Sequence, residues 1–333
     1  MTTRRTIALS LSAAGLLLLT SACGSSDSSA PGATSASAKV TLGLVQGQDF
    51  IHAMPARVAE AQGFFAKDGL NVSIVDFHAG SDLTKAMAGG SVNVGAATGL
   101  DAVSAAAHGV NLQAFFGVEA KSPMALVVPT NSTIHTFGDL KGKRVAISKV
   151  GSLTDYTVRA ALTAANVPLT AVKEIPLGDP ASTMAGMARG DVDAFVLPVN
   201  FGYVVEAKGT GKIAQIASDA IGGDDQFAIL MSEQSYIASN KASLKKMANV
   251  YTDALTWMKN NKDATVQLAV TKLGMSQPIA VKTYEALMDN FTPDGKINAT
   301  GLASYATALP KLGIATAAPK EATYLNTSIT STS

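Results

Sequence analysis

The residues that could do chemistry in this chain cluster where short apolar runs give way to helical periodicity. Gln46, Asp49 and His52 follow the first such run, and Gly80 with Ser81 opens a later helix. Thr98 and Gly99 follow a third run, Lys149, Gly151 and Ser152 link a run to a helix, and Asn200 follows another. In open α/β sheets the loops at the carboxyl ends of strands meet ligands, and helix N-termini there present free N–H groups and a positive dipole end. Hydroxyls, glycines and an amide in these places equip a pocket for a small polar or anionic solute, with Phe201 and Phe227 available as apolar walls. Each also has a plain structural role. Ser152 with Asp155 three places on resembles a capping box, Ser81 and Thr98 can serve as helix caps, and the phenylalanines can fill core. Lys149 is the one basic side chain at these junctions, whereas Asp49, Asp82 and Asp101 lie at the same ends and oppose a compact anion.

The chemistry that cannot be assembled is as informative. His52, His78, His108 and His135 are scattered, with no HExxH or paired spacing for zinc. Neither a G-x-S-x-G elbow nor a phosphate loop occurs. The expectation is therefore a protein that binds without catalysing, and that uses no metal and no cofactor.

Strand-like and helix-like segments alternate along the chain. Residues 40–45, 72–77, 91–97 and 112–118 read as strands, separated by helices at 55–62, 82–88 and 101–108. A second series follows, with strands at 145–148, 172–176 and 192–197 and helices at 154–166 and 181–188. Beyond about residue 227 the pattern turns helical, at 244–259, 281–288 and 302–309. Such alternation predicts an α/β fold whose sheets are mainly parallel and covered on both faces. The segment Met87-Ala88-Gly89-Gly90-Ser91-Val92-Asn93-Val94 echoes Met187-Ala188-Arg189-Gly190-Asp191-Val192-Asp193-Ala194, which points to two similarly built lobes.

The first residues carry a different message. Arg4 and Arg5 precede an apolar stretch at 7–19, too short to span a bilayer, and then Thr20-Ser21-Ala22-Cys23-Gly24. The whole resembles a bacterial lipobox, although Thr20 stands where Leu is usual. It predicts a signal peptide at 1–22 and a diacylated Cys23, and two acyl chains hold a protein at a membrane where one holds it only marginally. Residues 23–38 are Ser/Ala/Gly-rich and read as a flexible tether, and 323–333 as a loose polar tail. Cys23 is the sole cysteine, so no disulfide can form within one chain. Lys and Arg total 26 against 25 Asp and Glu, a net charge of +1 that gives no electrostatic case for nucleic acid.

Gly63-Phe64-Phe65-Ala66-Lys67-Asp68-Gly69-Leu70-Asn71-Val72 resembles a segment of the nitrate/sulfonate/taurine family of solute-binding lipoproteins of ABC importers. Further similarities follow in that family's order: Ala79-Gly80-Ser81-Asp82, Gly90-Ser91-Val92-Asn93-Val94-Gly95, Asp139-Leu140-Lys141-Gly142-Lys143-Arg144-Val145-Ala146 and Gly190-Asp191-Val192-Asp193-Ala194. The resemblance implies a two-lobed periplasmic-binding-protein type II fold with the ligand in a cleft between lobes. Two segments, near 120–127 and 219–230, would cross between the lobes. Lobe one would comprise 39–122 and 226–322, and lobe two 123–225. It further implies a monomer that captures a small organic solute outside the cytoplasm and delivers it to a membrane permease and its ATPase. An alkanesulfonate, an aromatic acid and a thiamine-precursor-like pyrimidine all fit this reading, and the same cleft would serve a solute-sensing lipoprotein. The resemblance places Gly151 and Ser152 at the ligand, with their N–H groups holding an anionic or carbonyl oxygen.

Overall fold

The computed structural model describes residues 38–45, 47, 49–222 and 225–330. The expected signal peptide, Cys23, nearly all of the tether and Gln46 lie outside the described residues. The first strands are β1 (Ala38–Val45), β2 (Leu70–Phe77), β3 (Val94–Thr98) and β4 (Leu112–Glu119). A second set comprises β5 (Met124–Pro129), β6 (Arg144–Ile147), β7 (Lys173–Pro176), β8 (Ala194–Pro198) and β9 (Gly211–Ile216), and β10 (Ala228–Glu233) follows.

These strands form two five-stranded sheets of the same design. The orders are β2-β1-β3-β10-β4 and β7-β6-β8-β5-β9. In each, the first three strands are parallel and the fourth runs antiparallel to both neighbours. The sheets are thus mixed, where the alternation of elements predicts mainly parallel ones. The reason is connectivity. The chain leaves the first sheet at Glu119 and enters the second at Met124, which pairs with Pro198 at the end of β8. It returns after the helix Ala217–Ile221 into β10, whose Ala228 pairs with Thr98 at the end of β3. A strand that enters from the carboxyl ends of its neighbours must run against them. The segments expected to cross at 120–127 and 219–230 shorten accordingly, because 124–127 and 228–230 are ladder residues.

The sequence echo has a structural counterpart. Gly90 and Gly190 both take positive φ, 74° and 78°, which closes the helices Gly80–Ala88 and Pro180–Arg189 without strain. Ser91 then donates its N–H to Ala86 O and Asp191 to Gly186 O. Asn93 and Asp193 each accept a 2.8 Å hydrogen bond from a neighbouring strand, from Thr41 N and Arg144 N respectively.

Helices begin earlier than their apolar periodicity suggests. The helix expected at 55–62 runs Phe50–Ala61, with Pro55 in its interior rather than its first turn. Phe50, Ile51, Ala53 and Met54 are completely buried, and this burial outweighs the hydrogen bond that proline cannot make. Helices at Gly80–Ala88, Gly99–Ala107 and Leu153–Ala164 likewise start ahead of 82, 101 and 154. The residues added at these starts, Gly80 and Ser81, Gly99 and Leu100, and Leu153, are too few to carry a periodic signal of their own.

The C-terminal helices pack against both halves. Gln277–Leu287 lies on Val199–Ala207, where Lys282 pairs with Glu206 at 2.8 Å and stands 4.1 Å from the Tyr203 ring centre. Of the segment expected as a loose tail, residues 324–326 are docked. Tyr324 and Leu325 are buried, Asn326 donates its N–H to Ala114 O at 2.9 Å, and Ala114 donates to Tyr324 O at 2.8 Å. The free edge of β4 offers unpaired backbone groups, and these residues cover it. Leu325→Ala is expected to lower stability by about 2 kcal/mol in urea denaturation; an unchanged midpoint and slope would mean that the segment is undocked.

Candidate functional site

The carboxyl ends of β1, β3, β6 and β8 face one another across a small pocket. The half built on the first sheet contributes His52, Gly80, Thr98, Asp101 and Phe227, and the other half contributes Ser148, Ser152 and Thr154. Met124 and Phe227, at the ends of the two crossing segments, also line it. Its volume is about 30 Å³, room for one or two waters.

Each wall is tightly organised. The hydroxyls of Ser148, Ser152 and Thr154 form a buried triangle with edges of 2.8–2.9 Å. Thr154 Oγ1 also accepts from Ser148 N, and Ser152 Oγ lies 2.6 Å from Lys149 O. Opposite, Thr98 caps Gly99–Ala107 in a complete capping box with Asp101. Asp101 Oδ2 accepts from Thr98 N and Oγ1 at 2.9 and 2.7 Å. Burial raises the Asp101 carboxyl above its ordinary range, and the Thr98 hydrogen bonds oppose that rise. Gly80 is required for this packing, because a Cβ there would stand 1.8 Å from Asp101 Oδ1.

His52 is buried beside the Phe227 ring, with centroids 5.5 Å apart. Its Nδ1 lies 2.7 Å from Asp49 Oδ2, so Nδ1–H donates to that carboxylate. Nε2 is buried without a protein partner, as is Asn200 Oδ1. Behind them Glu119 is fully buried at the end of β4.

Contacts between the halves ring the pocket. Lys149 Nζ reaches both Asp82 oxygens at 2.7 Å, a pair exposed enough to contribute about 1 kcal/mol at most. Tyr156 and Tyr305 meet edge to face at 5.2 Å. Arg159 bonds Asp155 and Glu174 on its own half and Leu312 O on the other. Burial and the Asp155 charge push the Glu174 carboxyl up to about 7.

Of the residues named from the sequence, the structure gathers His52, Gly80, Thr98, Ser152 and Phe227 around this pocket. Ser81 and Gly151 border a neighbouring groove. Asp49 supports His52 from behind, and Gly99 donates its N–H to Phe227 O at 2.9 Å. Lys149 is engaged by Asp82. The N–H groups expected to hold a ligand oxygen are also engaged, Gly151 N by Asp155 Oδ2 at 2.5 Å and Ser152 N by Lys149 O at 3.2 Å. Phe201 is buried away from this pocket and borders a separate cavity. Ser148 and Thr154 also line the pocket, and their signal in the sequence is the spacing of three hydroxyls after one strand.

Two similar α/β halves, linked by a double crossing with a polar pocket between them, make up the periplasmic-binding-protein type II fold. The chain belongs to the NMT1/THI5 like family, whose pattern matches residues 51–265. It is 25% identical over 210 residues to an aliphatic sulfonates-binding protein of Escherichia coli (strain K12), covering 62% of this chain and 64% of that protein. Over 143 residues it is 34% identical to the taurine-binding periplasmic protein of the same organism, covering 42% and 43% respectively. The aligned part thus spans less than two thirds of these relatives. The alkanesulfonate-binding protein SsuA from Xanthomonas axonopodis pv. citri, solved bound to MOPS, shares the fold at TM-score 0.71 and 19% identity. That match covers 85% of this chain and 95% of the other.

Burial, reinforced by the Asp49 charge and opposed by Asn290, holds the Glu119 carboxyl well above its ordinary 4.5. The folded chain keeps a proton that the unfolded chain releases. Stability from the neutral carboxyl is fully present below about pH 4.5 and declines as pH rises toward the folded value. Glu119→Gln, neutral throughout, is expected to gain on the parent as pH rises above about 4.5 in urea denaturation. Parallel stability curves for the two proteins would overturn the assignment.

Proposed function

We propose that this chain is the solute-capturing component of an ABC importer, taking a small sulfonate- or taurine-like organic solute between two lobes and presenting it to a permease and ATPase. In this reading the two sheets are the cores of lobe one, 39–122 with 226–322, and lobe two, 123–225. The chain works as a monomer on the outer side of a bacterial membrane, held by lipid on Cys23. It is a receptor and performs no reaction of its own.

The observation that carries the reading is the pocket itself. Polar groups from both halves converge at the strand ends beside the two crossing segments, so a solute bound there bridges the halves and favours their closure. His52 turns Nε2 to the solute, accepting from a donor when neutral and donating to an anionic oxygen when protonated. Thr98 and the Ser148–Ser152–Thr154 triangle supply hydroxyls, Asn200 an amide and Phe227 an apolar face. Asp49 orients His52 through Nδ1, and Gln46, which follows the first strand in the chain, is proposed as a further polar contact. Gly80, Ser81, Gly99, Lys149 and Gly151 shape the strand-to-helix turns and fasten the closed state.

A thiamine-precursor-like pyrimidine is the second reading. It is favoured by one feature: no Lys or Arg among the described residues lines the inner pocket, whereas the Asp101 carboxylate does.

Titration of taurine, alkanesulfonates and aminopyrimidines is expected to raise the melting temperature for one class, since ligand at 100 times its dissociation constant stabilises by about 2.7 kcal/mol. Ser152→Asp, which sets a second carboxylate opposite Asp101, is expected to weaken sulfonate binding at least about 100-fold, since one partner of a buried polar contact is replaced by an unpaired charge. Undiminished affinity would remove Ser152 from the site. Cys23→Ser is expected to move the protein from the membrane fraction to the soluble fraction; continued membrane retention would refute the lipid anchor.

A further inference from the structure

Among the described residues, the one basic group in the lining of the inner pocket is an imidazole. His52 shares that lining with the Asp101 carboxyl, and Lys149 at the rim is engaged by Asp82. Asp49 precedes the helix Phe50–Ala61 and is completely buried, with its Oδ2 2.7 Å from His52 Nδ1. Its Oδ1 and His52 Nε2 are buried without a hydrogen-bond partner. Three acids thus stand at or behind one ring. Asp49 holds Nδ1, Asp101 and His52 feel one another's charge, and Glu119 lies behind Asp49. Burial holds the Glu119 carboxyl well above its ordinary range, so Asp49 rather than Glu119 carries the negative charge behind the ring. Phe227 adds an apolar face, and the opposite wall brings the hydroxyls of Ser148, Ser152 and Thr154 but no charge. Asp49, His52, Asp101 and Glu119 all belong to the half built on the first sheet, so they stay together when the halves part.

We propose that capture by this chain is proton-linked: His52 takes up one proton at Nε2 as an anionic head group binds, and the imidazolium so formed is held between Asp49 and the solute oxygen. This rests on the sulfonate-type reading above and adds to it the ionic state in which the site works. A sulfonate stays anionic across the physiological range, yet the lining meets it with one carboxyl and, among the described residues, no Lys or Arg. The cation this lining can make is on His52. The first turn of a helix opposes a cation, and Asp49 offsets that through a charge-assisted hydrogen bond from Nδ1–H. The anion completes the arrangement from the other side of the ring, at Nε2. The proton comes from solvent, and no other covalent bond forms or breaks. The occupied site then holds a proton that the empty site releases, so binding is strongest at low pH and weakens as pH rises. Asp49 is a positioning residue in this scheme, acting on the solute through the ring.

The test is calorimetric titration of ethanesulfonate, which has no titrating group near neutral pH, in two buffers of different ionisation enthalpy. The pair of buffers counts the protons taken up by the parent and needs no variant. The parent is expected to take up about one proton per ethanesulfonate at about pH 7.5, and its dissociation constant to rise by up to about tenfold per pH unit above about pH 7. His52→Gln keeps an N–H donor without the charge, and is expected to bind with no proton uptake and a flat pH profile. Asp49→Asn keeps an acceptor for Nδ1–H without its charge, and is expected to move the parent profile to lower pH. Binding by the parent with neither proton uptake nor pH dependence overturns the linkage and leaves the receptor reading standing. Proton uptake that persists in His52→Gln assigns the proton to Asp101 and overturns the role of His52. No binding of ethanesulfonate or taurine by the parent between about pH 5 and about pH 9 overturns the sulfonate reading as well.

Discussion

One buried amide holds the architecture of this site together. Gln226 Nε2 donates to Glu119 O, the last residue before the chain first crosses between halves, and to Ala228 O, just after it returns. Its Oε1 accepts from Asn298 N at 2.6 Å, at the cap of the helix Ala299–Lys311. Next to it Phe227 N donates to Ala120 O and Phe227 O accepts from Gly99 N. Both crossing segments are thus laced together at the point where the pocket begins. An amide with every group satisfied inside a protein is rigidifying, and removal of one partner would strand the others without solvent. The hinge is defined by this lacing as much as by the strands either side of it.

From that knot the rest follows by connectivity. Each sheet receives its antiparallel strand directly from a crossing segment, so movement of one half on the other must pass through residues 120–123 and 222–227. The loops after the parallel strands point at the same gap from both sides. This explains why polar residues far apart in sequence, such as His52, Thr98, Ser152 and Phe227, share one pocket.

Electrostatics distinguishes the pocket from a simple anion trap. Lys149 is neutralised by Asp82, Arg159 by Asp155 and Glu174, and the pocket wall itself carries Asp101. Its other polar lining is a histidine and hydroxyls, groups that adapt to donors and acceptors alike. Such a lining offers hydrogen bonds and shape more than net charge.

Much of this protein could be read from one dimension, and the physical reason is locality. Strand cores such as 40–45 and 192–197 are apolar runs of the right length, and helix ends such as Gly90 and Gly190 announce themselves by residues that tolerate positive φ. The alternation of these elements, with the echo between residues 87–94 and 187–194, was enough to indicate two similar α/β units. The helix starts were less legible, because Phe50 to Met54 are helical through burial against strands and helices distant in sequence. So was the docking of Tyr324 and Leu325 on β4, which depends on a sheet edge more than two hundred residues away. Among the site residues, type and position marked His52, Thr98 and Ser152. Only the tertiary structure decided that the Gly151 and Ser152 N–H groups and the Lys149 charge are already engaged, because their partners are set by how loops and halves meet. Sequence settles what each segment can form by itself; which polar groups are left over for a ligand is settled when the segments have satisfied one another.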